Sequence, residues 1–297
     1  MAQLVEPVQI PQPGLLPRLS SGPFWRSLVL IGLMGWLYAG VLARLAHQWW
    51  TDPNFSHGFF VPVFALYVLW QKKEALRVIP SSPSDWGLAL VVLSLCTLLL
   101  GTFGAELFLS RISLVMLVAG MVLFLLGREM LRALIFPIAI LVLMVPIPSI
   151  VLNQITFPLQ ILASKISAWI LPVLGVPVLR EGNVINLPAM PLEVADACSG
   201  IRSLLSLTCL AVMYGYLLEK RIGIRVILAL ASIPIAVAAN ALRIVGTGLL
   251  VQYWDPEKAE GFFHAFSGWL IFVVSLLMLF ALHRLITLRR DRYEALA

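Results

Sequence analysis

The sequence predicts an all-α protein that crosses a membrane about eight times. Of its 297 residues, 60% are hydrophobic and only 12% are charged, whereas about a quarter of the residues in a soluble domain are charged. Apolar runs close to 20 residues long recur along the chain, and this is the length that a helix needs to cross a bilayer. The lysines and arginines cluster between these runs, as they do in polytopic membrane proteins.

Eight apolar runs define the predicted helices, which together form a single transmembrane domain over residues 24–288. They fall at about 25–46, 56–70, 87–108, 111–127, 133–151, 199–218, 226–251 and 265–286. Residues 1–23 are rich in proline, so we expect a flexible cytoplasmic tail. The first run is long enough to span, so we do not expect a signal peptide. Residues 289–297 are expected to form a basic cytoplasmic tail.

The distribution of positive charge predicts the orientation. Fourteen lysines and arginines fall on the side that holds both termini, four on the other side and three within the runs. Because positively charged loops stay in the cytoplasm, we expect both termini to be cytoplasmic. The net charge of +6 therefore reports orientation, and no nucleic-acid partner is expected.

Residues 152–197 form a long insert that we place outside the cytoplasm, before the sixth helix. Its apolar part, 155–174, is interrupted by Pro158 and Pro172, which favours interfacial or re-entrant helices over a span. The turn signal Glu181-Gly182-Asn183 then separates β-prone residues, and it predicts a small β-hairpin.

Three side chains that can take part in catalysis fall at the outer ends of the last three helices. Cys198 begins the sixth helix, Arg243 lies about eight residues inside the outer end of the seventh, and His264 opens the eighth. His57 begins the second helix on the same side. Ionisable groups within a membrane are costly, so they mark a functional site by default.

The residues around Cys198 suit an activated thiol. A helix N-terminus and a neighbouring cation both lower the pKa of a cysteine, and Arg202 follows Cys198 by one helical turn. Asp196 is a candidate helix cap, while Ser199 and Gly200 allow another backbone to approach closely.

The remaining candidates suit acyl transfer by that thiol. A histidine can activate it and protonate a leaving amine, and a buried guanidinium can stabilise a carbonyl oxyanion. Asn240, one turn before Arg243, could orient that arginine or bind the substrate backbone. No metal motif is present, and no cofactor is expected.

Each of these residues also has a structural interpretation. A cysteine at a helix end often serves packing, an arginine such as Arg202 can extend its charge to the interface or pair with Asp196, and both histidines could be interfacial. The spacing of these residues in the sequence does not decide between the structural and the catalytic interpretations.

Three motifs together resemble the exosortase/archaeosortase family. They are Ala197-Cys198-Ser199-Gly200-Ile201-Arg202-Ser203, Asn240-Ala241-Leu242-Arg243-Ile244 and His264 followed by Gly268-Trp269, and Ser56-His57-Gly58 is similar to a further family signature. The resemblance covers about residues 50–285. It implies a cysteine protease or transpeptidase of the bacterial inner membrane, with Cys198 as nucleophile, Arg243 supporting the oxyanion and His264 as acid and base.

The resemblance also implies the partners. Family substrates carry a C-terminal sorting signal, which consists of a Pro-Glu-Pro-like motif, a membrane helix and a basic tail. The active site would face the periplasm and pass the cleaved protein to a surface acceptor. Arg180, in the insert, is a candidate reader of a substrate carboxylate. Some members carry an extra soluble domain that this sequence lacks, so a separate accessory protein is a further expected partner.

Three other functions fit parts of the sequence. A transporter would bind an anion at Arg202 and Arg243, and it would show paired broken helices, although the sequence has no internal repeat. A non-catalytic scaffold of an exopolysaccharide export or synthesis system would not need Cys198. A transferase acting on lipid-linked sugars would use acidic residues of the outer loops, for which Glu181, Glu193, Asp196 and Asp255 are available.

Overall fold

The computed structural model describes the backbone of residues 21–194, 201–254 and 262–296. Its helices are α1 (Ser21–Thr51), α2 (Phe60–Gln71), α3 (Lys73–Arg77), α4 (Asp85–Phe103), α5 (Leu107–Leu125), α6 (Arg128–Ile140), α7 (Ser149–Val173), α8 (Ile201–Leu218), α9 (Ile222–Tyr253) and α10 (Phe262–Leu296). Two 3₁₀ helices, η1 (Pro53–Phe59) and η2 (Leu141–Met144), precede α2 and follow α6. The first helix thus takes in the end of the predicted N-terminal tail, and α10 continues through most of the predicted basic tail.

Within the described residues, seven helices are long and apolar enough to cross a membrane. They are α1 from Leu28, α4, α5, α7, α8, α9 and α10 over Gly268–Arg289. The predicted class, a polytopic all-α membrane protein with a small sheet, is therefore confirmed. Residues 1–43 and 44–297 form separate compact units, and the contacts that follow all lie within the second.

The hairpin of α4 and α5 shows how these helices pack in an apolar setting. A Cβ atom on Gly87 would lie 2.1 Å from the backbone nitrogen of Phe124, and one on Gly101 would lie 2.5 Å from that of Ser110. Glycine therefore lets the two backbones approach closely. In a membrane the hydrophobic effect does not drive helices together, and small residues at the helix interface let them associate by close packing.

The predicted fifth span and the predicted interfacial helices are corrected by the structure. The run 133–151 is cut by Pro146 and Pro148, because proline lacks an N–H and restricts the residue before it. The helix α6 with η2 ends at Met144, and one continuous 25-residue helix, α7, replaces the expected pair of short helices. Pro158 and Pro172 are accommodated inside α7, since neighbouring groups in a membrane helix can compensate the lost bonds.

The expected hairpin is present and is part of a larger sheet. Strands β1 (Leu179–Glu181) and β2 (Val184–Asn186) pair around the Gly182-Asn183 turn, and β3 (Pro191–Glu193) pairs antiparallel with β2. Gly182 has φ +64°, a conformation that glycine adopts without strain. The Ser164 hydroxyl of α7 donates to the Gly182 carbonyl at 3.0 Å, so the sheet is anchored on α7.

Helix α9 is the axis against which α7 and α8 pack. Helix α8 runs antiparallel to it, with Thr208 Oγ1 2.9 Å from Ser232 Oγ. Helix α7 runs parallel to it: the Ser167 hydroxyl donates to the Ala241 carbonyl at 3.1 Å, and the Tyr253 hydroxyl donates to the Leu174 carbonyl at 3.4 Å. The sheet, the end of α7 and the end of α9 therefore lie at one end of the unit.

The opposite end holds aromatic and basic residues. Tyr216 of α8 stacks on Phe136 of α6 with ring centroids 3.6 Å apart. The Arg225 guanidinium and the Lys72 ammonium lie 4.7 and 5.6 Å from the centre of the same ring. The ends of α2 and α8 and the beginning of α9 thus meet at the end away from the sheet.

Candidate functional site

Arg243 lies where α9 faces α10. Its side chain is half-buried, and a Cβ atom placed on Gly268 of α10 would lie 3.8 Å from its Nη2 atom and 4.0 Å from its Cζ atom. The guanidinium therefore lies beside the α10 backbone at Gly268, at ordinary van der Waals distance from the place that a Cβ atom would take. Positions four apart share a helix face, so residue 264 lies on the same face of α10 as Gly268, one turn nearer to the helix start. The side chain of His264 is not among those that the structure describes.

The segment with the predicted nucleophile connects two anchored points. Asp196, Cys198, Ser199 and Gly200 lie outside the described residues. Before this segment, Val194 is fully buried in a cluster that includes Ala241 and Ile244 of α9. After it, Ile201 lines a cavity together with Val237 and Asn240 of the same helix. The residues before and after the segment, Val194 and Ile201, thus lie near the turns of α9 around Arg243.

A small cavity separates the beginning of α8 from α7 and α9. Its volume is about 20 Å³, which is room for one water molecule. Three polar side chains line it, Asn240 of α9 and Thr156 and Gln160 of α7, and all three residues are at most 8% exposed.

Thr156 and Gln160 were missed by sequence reasoning, although a signal was present. With Ser164 and Ser167 they form a polar series at spacings of four, four and three along α7, and all four residues are buried. Such spacing places the series on one stripe of a helix. The assignment of this region to broken interfacial helices concealed it.

His57 is placed beside the beginning of α8. It lies in η1, which packs against α8, and its neighbour Phe55 is buried in one cluster with Ile201 and Leu205 at the edge. The Nδ1 atom of His57 is buried and has no hydrogen-bond partner in the part of the chain that the structure describes. Burial lowers the pKa of His57, and the backbone of Leu143 and Asn54 offsets part of this shift. The neutral imidazole is therefore favoured.

The two other predicted arginines have different surroundings. Arg202, in the first turn of α8, is exposed. Arg180 in β1 is half-buried, and its Nη1 atom donates to the Gly182 carbonyl at 2.6 Å. Arg180 thus braces the turn of its own hairpin, and its remaining donors are what a substrate carboxylate could use.

Taken together, the apolar helices define a polytopic membrane protein, and its candidate site lies along α9, which faces α7 and α8 at the cavity and α10 at Arg243. A family model for the transmembrane exosortases matches residues 49–281, and the chain belongs to this family. Neither a comparison with curated proteins nor one with solved structures gave a significant match.

Proposed function

We propose that this exosortase is a membrane-embedded cysteine protease or transpeptidase that cleaves the C-terminal sorting signal of exported proteins. Membership of the family supports processing of sorting signals as the general activity. The observation that carries the assignment of residues is the position of the Arg243 guanidinium against Gly268, one helical turn from His264. Two of the three proposed catalytic residues thus lie on facing turns of neighbouring helices.

The attachment points of the segment 195–200 support Cys198 as the third member. Ile201 follows Cys198 by three residues, and three residues of chain span at most about 11 Å. Ile201 shares a cavity with Asn240, which precedes Arg243 by one turn. The short chain distance from Ile201 supports a nucleophile in this segment as a partner of the guanidinium.

The proposed reaction forms and then resolves a thioester. The Cys198 thiolate attacks the scissile carbonyl carbon, and the Arg243 guanidinium stabilises the oxyanion. The carbon–nitrogen bond then breaks, and His264 protonates the departing amine. The amine or hydroxyl of a surface acceptor, or water, attacks the thioester carbonyl and releases the thiol. His57 is a second candidate base, because its lowered pKa favours the neutral form.

The same proposal includes the orientation in the bacterial inner membrane. Lys72 and Arg225 both approach Tyr216, so two segments that the charge count assigns to the cytoplasm meet at one end of the unit. Arg243 lies toward the opposite end, near the sheet, which supports a periplasmic active site. The positive-charge count supports cytoplasmic termini, and an even number of crossings then requires α2 to cross in addition to the seven long helices. Substrates would then present a Pro-Glu-Pro-like motif at the periplasmic face, with the basic tail on the cytoplasmic side, and a separate accessory protein remains an expected partner.

A transporter would show paired interrupted helices, and this protein has two short 3₁₀ helices, η1 and η2, that resemble such a pair. η1 and η2 pack against each other, and the Trp49 indole donates to the Met144 carbonyl at 2.9 Å. Trp49, Phe55 and Met144 are buried in one apolar cluster at this junction. An ion path requires polar lining, so the junction favours a structural role over transport.

A processing assay tests the proposed function. The full chain is expressed in bacteria with a reporter that ends in a Pro-Glu-Pro motif, an apolar helix and a basic tail. We expect wild type to shorten the reporter and Cys198→Ala to leave it intact at equal expression. Cys96→Ala is the matched control, because Cys96 is an exposed cysteine on α4.

The new C-terminus of the reporter, read by mass spectrometry, distinguishes transfer from hydrolysis. An added mass identifies an acceptor, and a free carboxylate identifies water. Continued cleavage by Cys198→Ala would rule out the cysteine mechanism and return the non-catalytic scaffold to consideration.

A further inference from the structure

Two cations approach one aromatic ring at the end of the unit away from the sheet. The Arg225 guanidinium lies 4.7 Å and the Lys72 ammonium 5.6 Å from the centre of the Tyr216 ring, and Phe136 stacks on the same ring. The two charged groups therefore lie within about 10 Å of each other, the Debye length at 0.1 M salt, so their repulsion is only partly screened. The aromatic ring attracts both cations through its quadrupole, but it neutralises neither charge.

The buried carboxylate nearest in the chain to Arg225 has other partners. Glu219, at the end of α8, accepts hydrogen bonds through its Oε1 atom from the backbone N–H groups of Lys220 and Arg221, at 2.8 and 3.0 Å. Its Oε2 atom lies 3.8 Å from Nε2 of His283 on α10. This carboxylate therefore stabilises the turn between α8 and α9 and the contact of that turn with α10.

The carboxylate nearest in the chain to Lys72 is also engaged. Glu74 forms an ion pair with Arg77 on the same short helix, α3. Among the described residues, the ion pairs at this end of the unit thus include neither Lys72 nor Arg225. Two cations that lie close together without a carboxylate between them favour the binding of an anion.

The two side chains suit a phosphate group. The Nε atom of Arg225 donates to the Glu219 carbonyl at 2.7 Å, which fixes the guanidinium and leaves its Nη atoms as the donors that a phosphate would use. Lys72 supplies a second, compact charge. Both residues are half-buried, so part of the cost of ordering these long side chains is met before a ligand binds.

Apolar side chains adjoin the two cations. Trp70, two residues before Lys72, is 64% exposed, and Leu217 and Leu218, which follow Tyr216, are 46% and 62% exposed. In a membrane-spanning protein such side chains contact lipid tails. A soluble anion would make no use of this apolar surface, whereas a phospholipid carries acyl chains next to its phosphate. Basic pockets between helices on the cytoplasmic side are typical sites for anionic headgroups.

We propose that Lys72, between α2 and α3, and Arg225 of α9 bind the phosphate of an anionic phospholipid beside Tyr216 of α8. By the charge count, the lipid belongs to the cytoplasmic leaflet. It would connect the ends of α2, α8 and α9, which meet at this point. The site is separate from Arg243, and the inference goes beyond the proposed function because it requires no cleavage.

Lipid binding to the full-length protein tests this proposal. The protein is purified in detergent and titrated with phosphatidylglycerol or with phosphatidylcholine, and bound lipid is measured by native mass spectrometry. We expect wild type to bind phosphatidylglycerol about tenfold more tightly, because the phosphatidylcholine headgroup has no net charge. Lys72→Gln and Arg225→Gln should each lower the affinity for phosphatidylglycerol about tenfold, the effect of losing one hydrogen bond to a charged group. Lys220→Gln is the matched control, because it removes an exposed charge at the same end.

A charge-retaining variant and a second measurement separate binding from folding. Lys72→Arg should keep the affinity within about threefold of wild type, since the cation near the phosphate is retained. Phosphatidylglycerol should raise the thermal midpoint of wild type and of Lys72→Arg, because a ligand that binds the folded state stabilises it. The increase should be smaller in Lys72→Gln. A loss of affinity in Lys72→Arg as large as that in Lys72→Gln would indicate a packing role and overturn the proposal.

Three further outcomes would contradict it. Equal losses of affinity in Lys72→Gln, Arg225→Gln and Lys220→Gln would show attraction by diffuse surface charge without a defined site. Equal affinity of wild type for the two lipids would show that no anionic headgroup is recognised. Displacement of the bound lipid by an excess of inorganic phosphate would identify a free anion as the ligand. Cysteine catalysis would be unaffected by any of these results.

Discussion

A substitution series at Gly268 tests whether the contact between α9 and α10 supports catalysis. A Cβ atom at this position would lie 3.8 Å from Arg243 Nη2, which is ordinary van der Waals contact. Gly268→Ala should therefore leave the guanidinium in place, and it should favour the helix by about 0.5–1 kcal/mol. We expect this variant to process the reporter within about threefold of the wild-type rate, because that contact displaces nothing.

Gly268→Val should behave differently, because valine adds two carbons beyond Cβ and has one strongly preferred rotamer in a helix. A carbon one bond farther toward Arg243 would lie about 2.5 Å from the guanidinium, well inside the contact distance of about 3.5–4.0 Å. The arginine must then move. If it stabilises the oxyanion, its displacement should lower the processing rate by about 10²–10³, the effect of losing one oxyanion donor.

The assay is the initial rate of reporter processing in proteoliposomes, with the thermal midpoint measured in detergent for each variant. Gly223→Val is the matched control, since Gly223 lies on α9 and a Cβ atom added there would have no neighbouring atom within 4 Å. Equal rates for Gly268→Ala and Gly268→Val, in two folded proteins, would refute the role of this contact.

Two further predictions concern stability and pH. Gly127→Ala should prevent stable folding or lower the stability by at least about 2 kcal/mol, because Gly127 has φ +92° and an added Cβ would lie 1.9 Å from the Ser82 carbonyl oxygen; a normal yield and melting curve would contradict this. Acidification from pH 7.5 to 5.5 should lower the thermal midpoint of wild type more than that of His57→Gln. The folded state lowers the pKa of His57 from 6.5, so the unfolded state binds more protons below that pH, and the stability falls as the pH decreases. An identical decrease in both proteins would contradict this reasoning.

The features that depend only on nearby residues in the chain were predicted from the sequence. Span length and low charge are enough to indicate a polytopic helical protein, and the Gly182-Asn183 turn is enough to indicate the hairpin. The third strand was not predicted because Pro191–Glu193 is short and begins with proline, which gives no alternating pattern. Its pairing with β2 depends on the register of the folded sheet.

The error in α7 shows where local rules are insufficient. Pro146 and Pro148 end a helix, whereas Pro158 and Pro172 lie inside one, although all four residues have the same intrinsic preference. The difference is tertiary, because α7 packs along α9 and gains contacts such as that of Leu171 with Gly248. Thr156 and Gln160 became recognisable only when this helix was continuous. The assignments of Cys198 and His264 depend on side chains outside the described set, and they stay predictions.

The spacing between Asn240 and Arg243 has a geometric meaning within this fold. Three residues turn an α-helix through about 300°, so the two side chains leave α9 about 60° apart and within about 5 Å along its axis. Asn240 is directed to the neutral cavity beside α7 and α8, and Arg243 is directed to α10. A single helix thereby separates a neutral carboxamide from a cation. If the two were exchanged, the guanidinium would occupy a small cavity without a carboxylate in its lining, at a cost in desolvation. The spacing therefore places the carboxamide and the guanidinium side by side without burying the charge in the cavity.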